Sequence, residues 1–188
     1  SLADYYMGRI ARHVFDMLAV LLIFIISSIT PSFALPGPAP PAPGWAARPI
    51  VMVIDTRGDL CTGVALARDL VLTAAHCVTL PIPQRVRIFQ NGETIPVRSV
   101  ARHPHFSMAN YTANRATADV ALVKLARPLP AIVVPATLAA ARRVADGEIM
   151  TIAGFGVTQA GTALGLGVPR MAELVVTGKP GSLQVRLV

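Results

Sequence analysis

Two cysteines are all that the 188 residues contain. That excludes a disulfide-dense miniature scaffold. With no His or Cys cluster at ligand spacing, it also argues against a zinc module. Charged residues are scarce too, 14% against 53% hydrophobic, so the chain is too apolar for intrinsic disorder. Acids are fewer than bases, 10 against 17, which leaves a net charge of +7. Positive charge makes a binding footprint only where it clusters. The longest basic pair is Arg142-Arg143, so a solvated basic surface is expected and no nucleic-acid partner.

Near the N-terminus a full bilayer-spanning run is also missing. Residues 17–26 (MLAVLLIFII) are unbroken apolar, about half of the roughly 20 residues that a spanning helix needs. Asp16 limits extension on one side; Ser27, Ser28 and Pro31 weaken the other. Arg9 and Arg12 precede this run, and Ser32-Phe33-Ala34 follows with small residues. The order basic, apolar, small predicts a secretory signal over residues 1–34, cleaved near Ala34, with Met7 as a start. A membrane anchor is the competing reading. The expected location is secreted or periplasmic, with membrane contact only through the export signal.

Residues 35–49 hold six prolines and are expected to form an extended, solvated linker or propeptide. Exported chains meet oxidising conditions, so Cys61 and Cys77 can pair and leave no cysteine over. Two free thiols in a core are the alternative.

From residue 50 onward, short β-branched runs alternate with turn residues. Strands are expected at 50–54, 63–66, 70–73, 85–89, 94–100, 120–125, 148–153, 172–177 and 183–188. Ala67-Arg68-Asp69 reads as a hairpin turn, and Asn91-Gly92 as a type I′ turn. Residues 136–147 (ATLAAARRVADG) have some helical propensity. The class is therefore all-β, a barrel or a sandwich.

Leu72-Thr73-Ala74-Ala75-His76-Cys77 is the sharpest motif, with Cys61-Thr62-Gly63 upstream of it. Ala118-Asp119-Val120-Ala121-Leu122-Val123-Lys124-Leu125 is the second, preceded by Arg102-His103-Pro104-His105-Phe106. Ala153-Gly154-Phe155-Gly156 is a third and weaker one. Together they resemble the trypsin/chymotrypsin family of serine proteases. The resemblance covers residues 50–160 well and 160–188 by strand pattern.

It implies an all-β trypsin-like double β-barrel, the first barrel complete (50–127), a linker (128–147) and a partial second barrel (148–188). It implies a Cys61–Cys77 bridge, His76 as general base and Asp119 as the group that orients it, with a protein or peptide as substrate. No cofactor and no metal are implied. His103 and His105 are expected to be surface or packing residues. Asp119 has support of its own: it opens an apolar strand, where a carboxylate is costly unless hydrogen-bonded, and a His ring N–H would supply that bond.

The family's Gly-Asp-Ser-Gly-Gly nucleophile string is absent. Outside residues 1–34 the serines are Ser99, Ser107 and Ser182, and none has that setting. The expectation is a serine endopeptidase sequence cut before its nucleophile and inactive as it stands. The start departs as well: Arg48-Pro49-Ile50-Val51-Met52-Val53 lacks the glycine pair of the family's mature N-terminus. Two other readings stand beside this one. The first is a non-catalytic protease homologue acting as a binding module; the second is an unrelated secreted β module.

Overall fold

A computed structural model describes residues 39–79, 82–156, 167–181 and 184–188. All lie in the unit Pro36–Val188. The expected signal at 1–34 and Ser182 fall outside the described residues.

Six antiparallel strands close into a barrel in the order β1-β2-β3-β6-β5-β4. They are β1 (Ile50–Asp55), β2 (Leu60–Ala67), β3 (Leu70–Thr73), β4 (Gln84–Arg87), β5 (Thr94–Arg102) and β6 (Ala121–Leu125). Closure leaves this sheet without a free edge. β4 and β6 alternate strictly between buried and exposed positions, as a wall with one face inward requires. Val51, Val53, Val71, Val86, Ile88, Ile95 and Val123 fill the interior.

β1 does not alternate, because both of its faces are covered. Val51 and Val53 point into the barrel core, whereas Ile50 and Met52 pack with Phe155 in a second cluster. Phe89 meets Phe155 edge-on at 5.5 Å between ring centroids. This second cluster joins the barrel to a three-stranded sheet of β7 (Ile149–Gly154), β8 (Arg170–Gly181) and β9 (Gln184–Leu187), ordered β7-β8-β9. A closed barrel with a second, partial sheet is the expected all-β architecture.

Three local expectations differ from the structure. The proline-rich stretch is seated on the body from residue 39 onward. Pro41 bridges to Arg170, Ala42 donates to the Pro169 carbonyl, and the Pro40 carbonyl accepts from Met171. Proline lacks a donor but keeps its acceptor, and that is the group used here. The segment continues into a short helix, α1 (Gly44–Ala47), which buries Ala46 and Ala47.

At Asn91-Gly92 only Gly92 takes a positive φ, and its N–H reaches back to the Ile88 carbonyl. A type I′ turn needs positive φ at both central residues. A longer loop forms instead, with the Asn91 side chain accepting from the Glu93 N–H. Residues 136–147 form no helix. Leu138 is 68% exposed, and a short helix with no apolar face to bury is marginal in water.

Candidate active site

His76 sits in a 3-10 turn (Ala75–Val78) that follows β3. Ala75 and Val78 are buried on either side of it and anchor the turn in the barrel core, which leaves His76 and Cys77 at the rim. Small size at Ala75 matters, because that side chain is fully enclosed.

The next fixing device is covalent. Cys61 of β2 bridges Cys77, with Cα atoms 6.3 Å apart. Gly63, two residues along β2, is required by packing: a Cβ there would lie 2.6 Å from Val71 Cγ1 and 3.0 Å from Val53 Cγ2. Between them, Thr62 works on both sides. Its carbonyl accepts from the Thr73 hydroxyl, and its own hydroxyl accepts from the Phe155 N–H. Gly154 makes room for this contact, since a Cβ there would meet Thr62 Oγ1 at 2.8 Å. The two small-residue motifs, Cys61-Thr62-Gly63 and Gly154-Phe155-Gly156, thus meet each other.

Asp119 lies two residues before β6, after the buried Thr117 and Ala118. One carboxylate oxygen, Oδ1, accepts the backbone N–H of His76 at 2.8 Å. The other, Oδ2, is 2.6 Å from His76 Nδ1. A carboxylate can only accept, so Nδ1 carries the proton and the lone pair of the neutral ring falls on Nε2. Nε2 faces Cys77 Sγ at 3.4 Å. The side chains are 31% and 25% exposed, enough for an approaching group to reach the imidazole.

The remaining candidates are not brought to this point. His103 and His105 pack edge-on against each other, both exposed. Ser99 is exposed on β5, and Ser107 caps a short helix by accepting from the Asn110 N–H. Among the described residues no serine hydroxyl bonds His76. Cys61, His76 and Cys77 place three metal-type donors within 4.8 Å, but both sulfurs are spent in the disulfide. A cleft of about 620 Å³ is lined by Thr79, Arg102, His103, Pro104, Phe106 and Met108 and includes neither His76 nor Asp119.

Sequence reasoning missed Tyr111, whose ring stacks on the imidazole with centroids 4.3 Å apart. It lies outside every motif, in the stretch between Phe106 and Thr117, and no spacing rule points to it. It also missed the dual role of Thr62, the unspecified residue between Cys61 and Gly63.

The fold resembles solved serine proteases. Neuropsin, a serine protease expressed in the limbic system of mouse brain, matches at a TM-score of 0.64 with 21% identity, over 79% of this chain and 73% of its own. A structure described as GrC matches at 0.61 with 21% identity, over 74% of this chain and 64% of its own. At that identity the likeness is one of fold. In sequence, snake venom serine protease rhinocerase 4 of Bitis rhinoceros is 28% identical over 116 residues, 60% of this chain. The chain spans 45% of that relative's length. The family model described as Trypsin matches residues 41–177, most of the folded body and both motifs that hold the His76–Asp119 pair, and on that match the chain belongs to the trypsin-like serine protease family.

Proposed function

We propose that these residues are the histidine- and aspartate-bearing part of an exported serine endopeptidase. His76 is the general base: Nε2 takes the proton of an attacking hydroxyl. Asp119 holds the ring in the tautomer that frees Nε2 and stabilises the imidazolium that results. The observation that carries this reading is the pair of contacts from one carboxylate to the backbone and the ring of one histidine. Family membership and the Cys61–Cys77 bridge support export and a protein or peptide substrate.

The nucleophile in this reading is a serine hydroxyl outside these 188 residues, and the 188-residue chain alone does not hydrolyse peptides. Loss of one member of such a unit removes most of the catalysis. The test has two steps. The coding sequence beyond Val188 is read for a Gly-Asp-Ser-Gly-Gly string, and the full product is assayed on an unfolded protein substrate. His76→Ala is then expected to lower kcat by about 10²–10⁴-fold, the usual contribution of a general base. An absent string, or hydrolysis unchanged in His76→Ala, overturns the proposal.

A second reading, a non-catalytic binding module, has one observation in its favour. Arg85 and Arg87 of β4 and Arg98 of β5 are exposed on adjoining strands and form no ion pair among the described residues. It predicts salt-sensitive binding of a sulfated polymer, weakened in Arg85→Ala. Equal retention of both chains on such a matrix would dismiss it.

A further inference from the structure

The proposed function uses the two nitrogen edges of the His76 ring; one face of that ring is also occupied. Tyr111 covers it, with ring planes inclined by 13° and centroids 4.3 Å apart. Tyr111 belongs to a second short helix, α2 (Met108–Thr112), which buries none of its residues. Five residues without a buried face do not hold a helix in water.

Local devices hold it instead. Ser107 Oγ accepts from the Asn110 N–H at 3.2 Å. At the far end Asn114 turns left-handed, φ +52°, and donates to the Tyr111 carbonyl, while Arg115 donates to the Asn110 carbonyl at 2.8 Å. Asparagine is the non-glycine residue that tolerates this conformation best. Thr117 closes the neck of the excursion. It is 8% exposed, and its Oγ1 accepts from the Ser107 N–H at 2.7 Å and donates to the His105 carbonyl at 3.2 Å. Two residues later comes Asp119. One short segment therefore fixes both the carboxylate on the ring's edge and the phenol on its face.

We propose that Tyr111 is a positioning residue for His76. Its ring blocks the rotation that would swing Nδ1 away from Asp119, and its π face favours the imidazolium formed when Nε2 accepts a proton. This inference rests on the general-base reading of His76. A role in core packing does not account for the contact, because Tyr111 is 39% exposed and its helix buries nothing. The ionisable groups in contact with the ring, among the described residues, are Asp119 from the segment before β6 and the Tyr111 phenol from α2. The Cys61–Cys77 disulfide beside it does not titrate.

The experiment is NMR spectroscopy of the 188-residue chain with ring-labelled histidine, in the wild type, Tyr111→Phe and Tyr111→Ala. In the wild type and Tyr111→Phe, the His76 ring proton is expected upfield, displaced by the stacked ring. In Tyr111→Ala that displacement is lost, and the downfield Nδ1 proton broadens as the freed ring leaves Asp119. Methyl signals of the buried Val86 and Val123 verify that each variant folds. An unchanged ring-proton shift in Tyr111→Ala, or a downfield Nδ1 proton as sharp as in the wild type, overturns this inference alone. So does Tyr111→Phe behaving like Tyr111→Ala. A wild type without that downfield proton overturns the general-base reading and this inference with it.

Discussion

Gly63→Ala is expected to destabilise the barrel by about 1–2 kcal/mol. The added Cβ would stand 2.6 Å from Val71 Cγ1, 3.0 Å from Val53 Cγ2 and 3.3 Å from Val51 Cγ2. Carbon atoms in contact prefer about 3.5–4.0 Å. All three valines are at most 2% exposed, and they sit on β1 and β3, the two neighbours of β2. Valine has few rotamers to yield with, and a closed ring of strands cannot spread at one position. Overpacking of this kind costs about 1–3 kcal/mol. Alanine returns about 0.4–1 kcal/mol by narrowing the unfolded ensemble, so crowding wins. Gly63 has no positive φ, and backbone strain adds nothing. Urea unfolding followed by circular dichroism gives the difference. Adding Val71→Ala removes the worst clash, so the double variant should lose at least about 0.5 kcal/mol less than the sum of the single variants. A neutral Gly63→Ala, or strict additivity with Val71→Ala, would refute the crowding account.

Replacing Cys61 and Cys77 together by alanine opens a loop of sequence separation 16 and is expected to cost about 3 kcal/mol; a loss below about 1 kcal/mol in the same unfolding assay would show that the bridge constrains little. Asp119→Asn should abolish the downfield Nδ1 proton of His76 in NMR spectra, and its persistence would mean that another acceptor holds the ring. Acid should weaken the fold. A hydrogen bond from Arg127, reinforced by Asn91 and opposed by burial, holds Glu93 below its ordinary 4.5. At Asp55 burial acts upward, but the N–H groups of Arg57 and Asp59 and the Arg57 guanidinium together hold it below 3.8. A carboxylate depressed in the folded state stabilises above its unfolded pKa and loses that contribution as pH falls through its folded one. Stability should therefore drop below about pH 4.5, less steeply in Glu93→Gln; an identical pH profile for that variant would contradict the assignment.

The strands were legible as short β-branched runs between turn residues, whereas the inward and outward faces of β4 and β6 were not, because polar Gln84 is buried and apolar Leu122 is exposed. β1 was legible in both respects: its unbroken apolar run matches burial on both sides. Segments that depend on a distant partner were not legible. Residues 39–49 dock through the Ala39 and Pro40 carbonyls, which accept from Arg170 and Met171 of β8, and through the Ala42 N–H, which donates to Pro169; nothing in a proline-rich string names that partner. Residues 136–147 carry helix-forming residues, yet Leu138 is left exposed and the Ala136 N–H bonds to the Ala65 carbonyl of β2. At the site, His76, Asp119 and the cysteines stand in compact motifs. Tyr111 reaches the imidazole through a capped excursion whose path depends on Ser107, Asn114 and Thr117 jointly.

The two oxygens of Asp119 answer to different masters. Oδ1 serves the main chain of the turn at position 76, whatever side chain stands there; Oδ2 serves the imidazole. A descendant that abandoned hydrolysis would keep a structural reason to retain the acid and lose its reason to retain the ring. Decay of catalysis in this lineage should accordingly be written first at position 76, with 119 the later casualty.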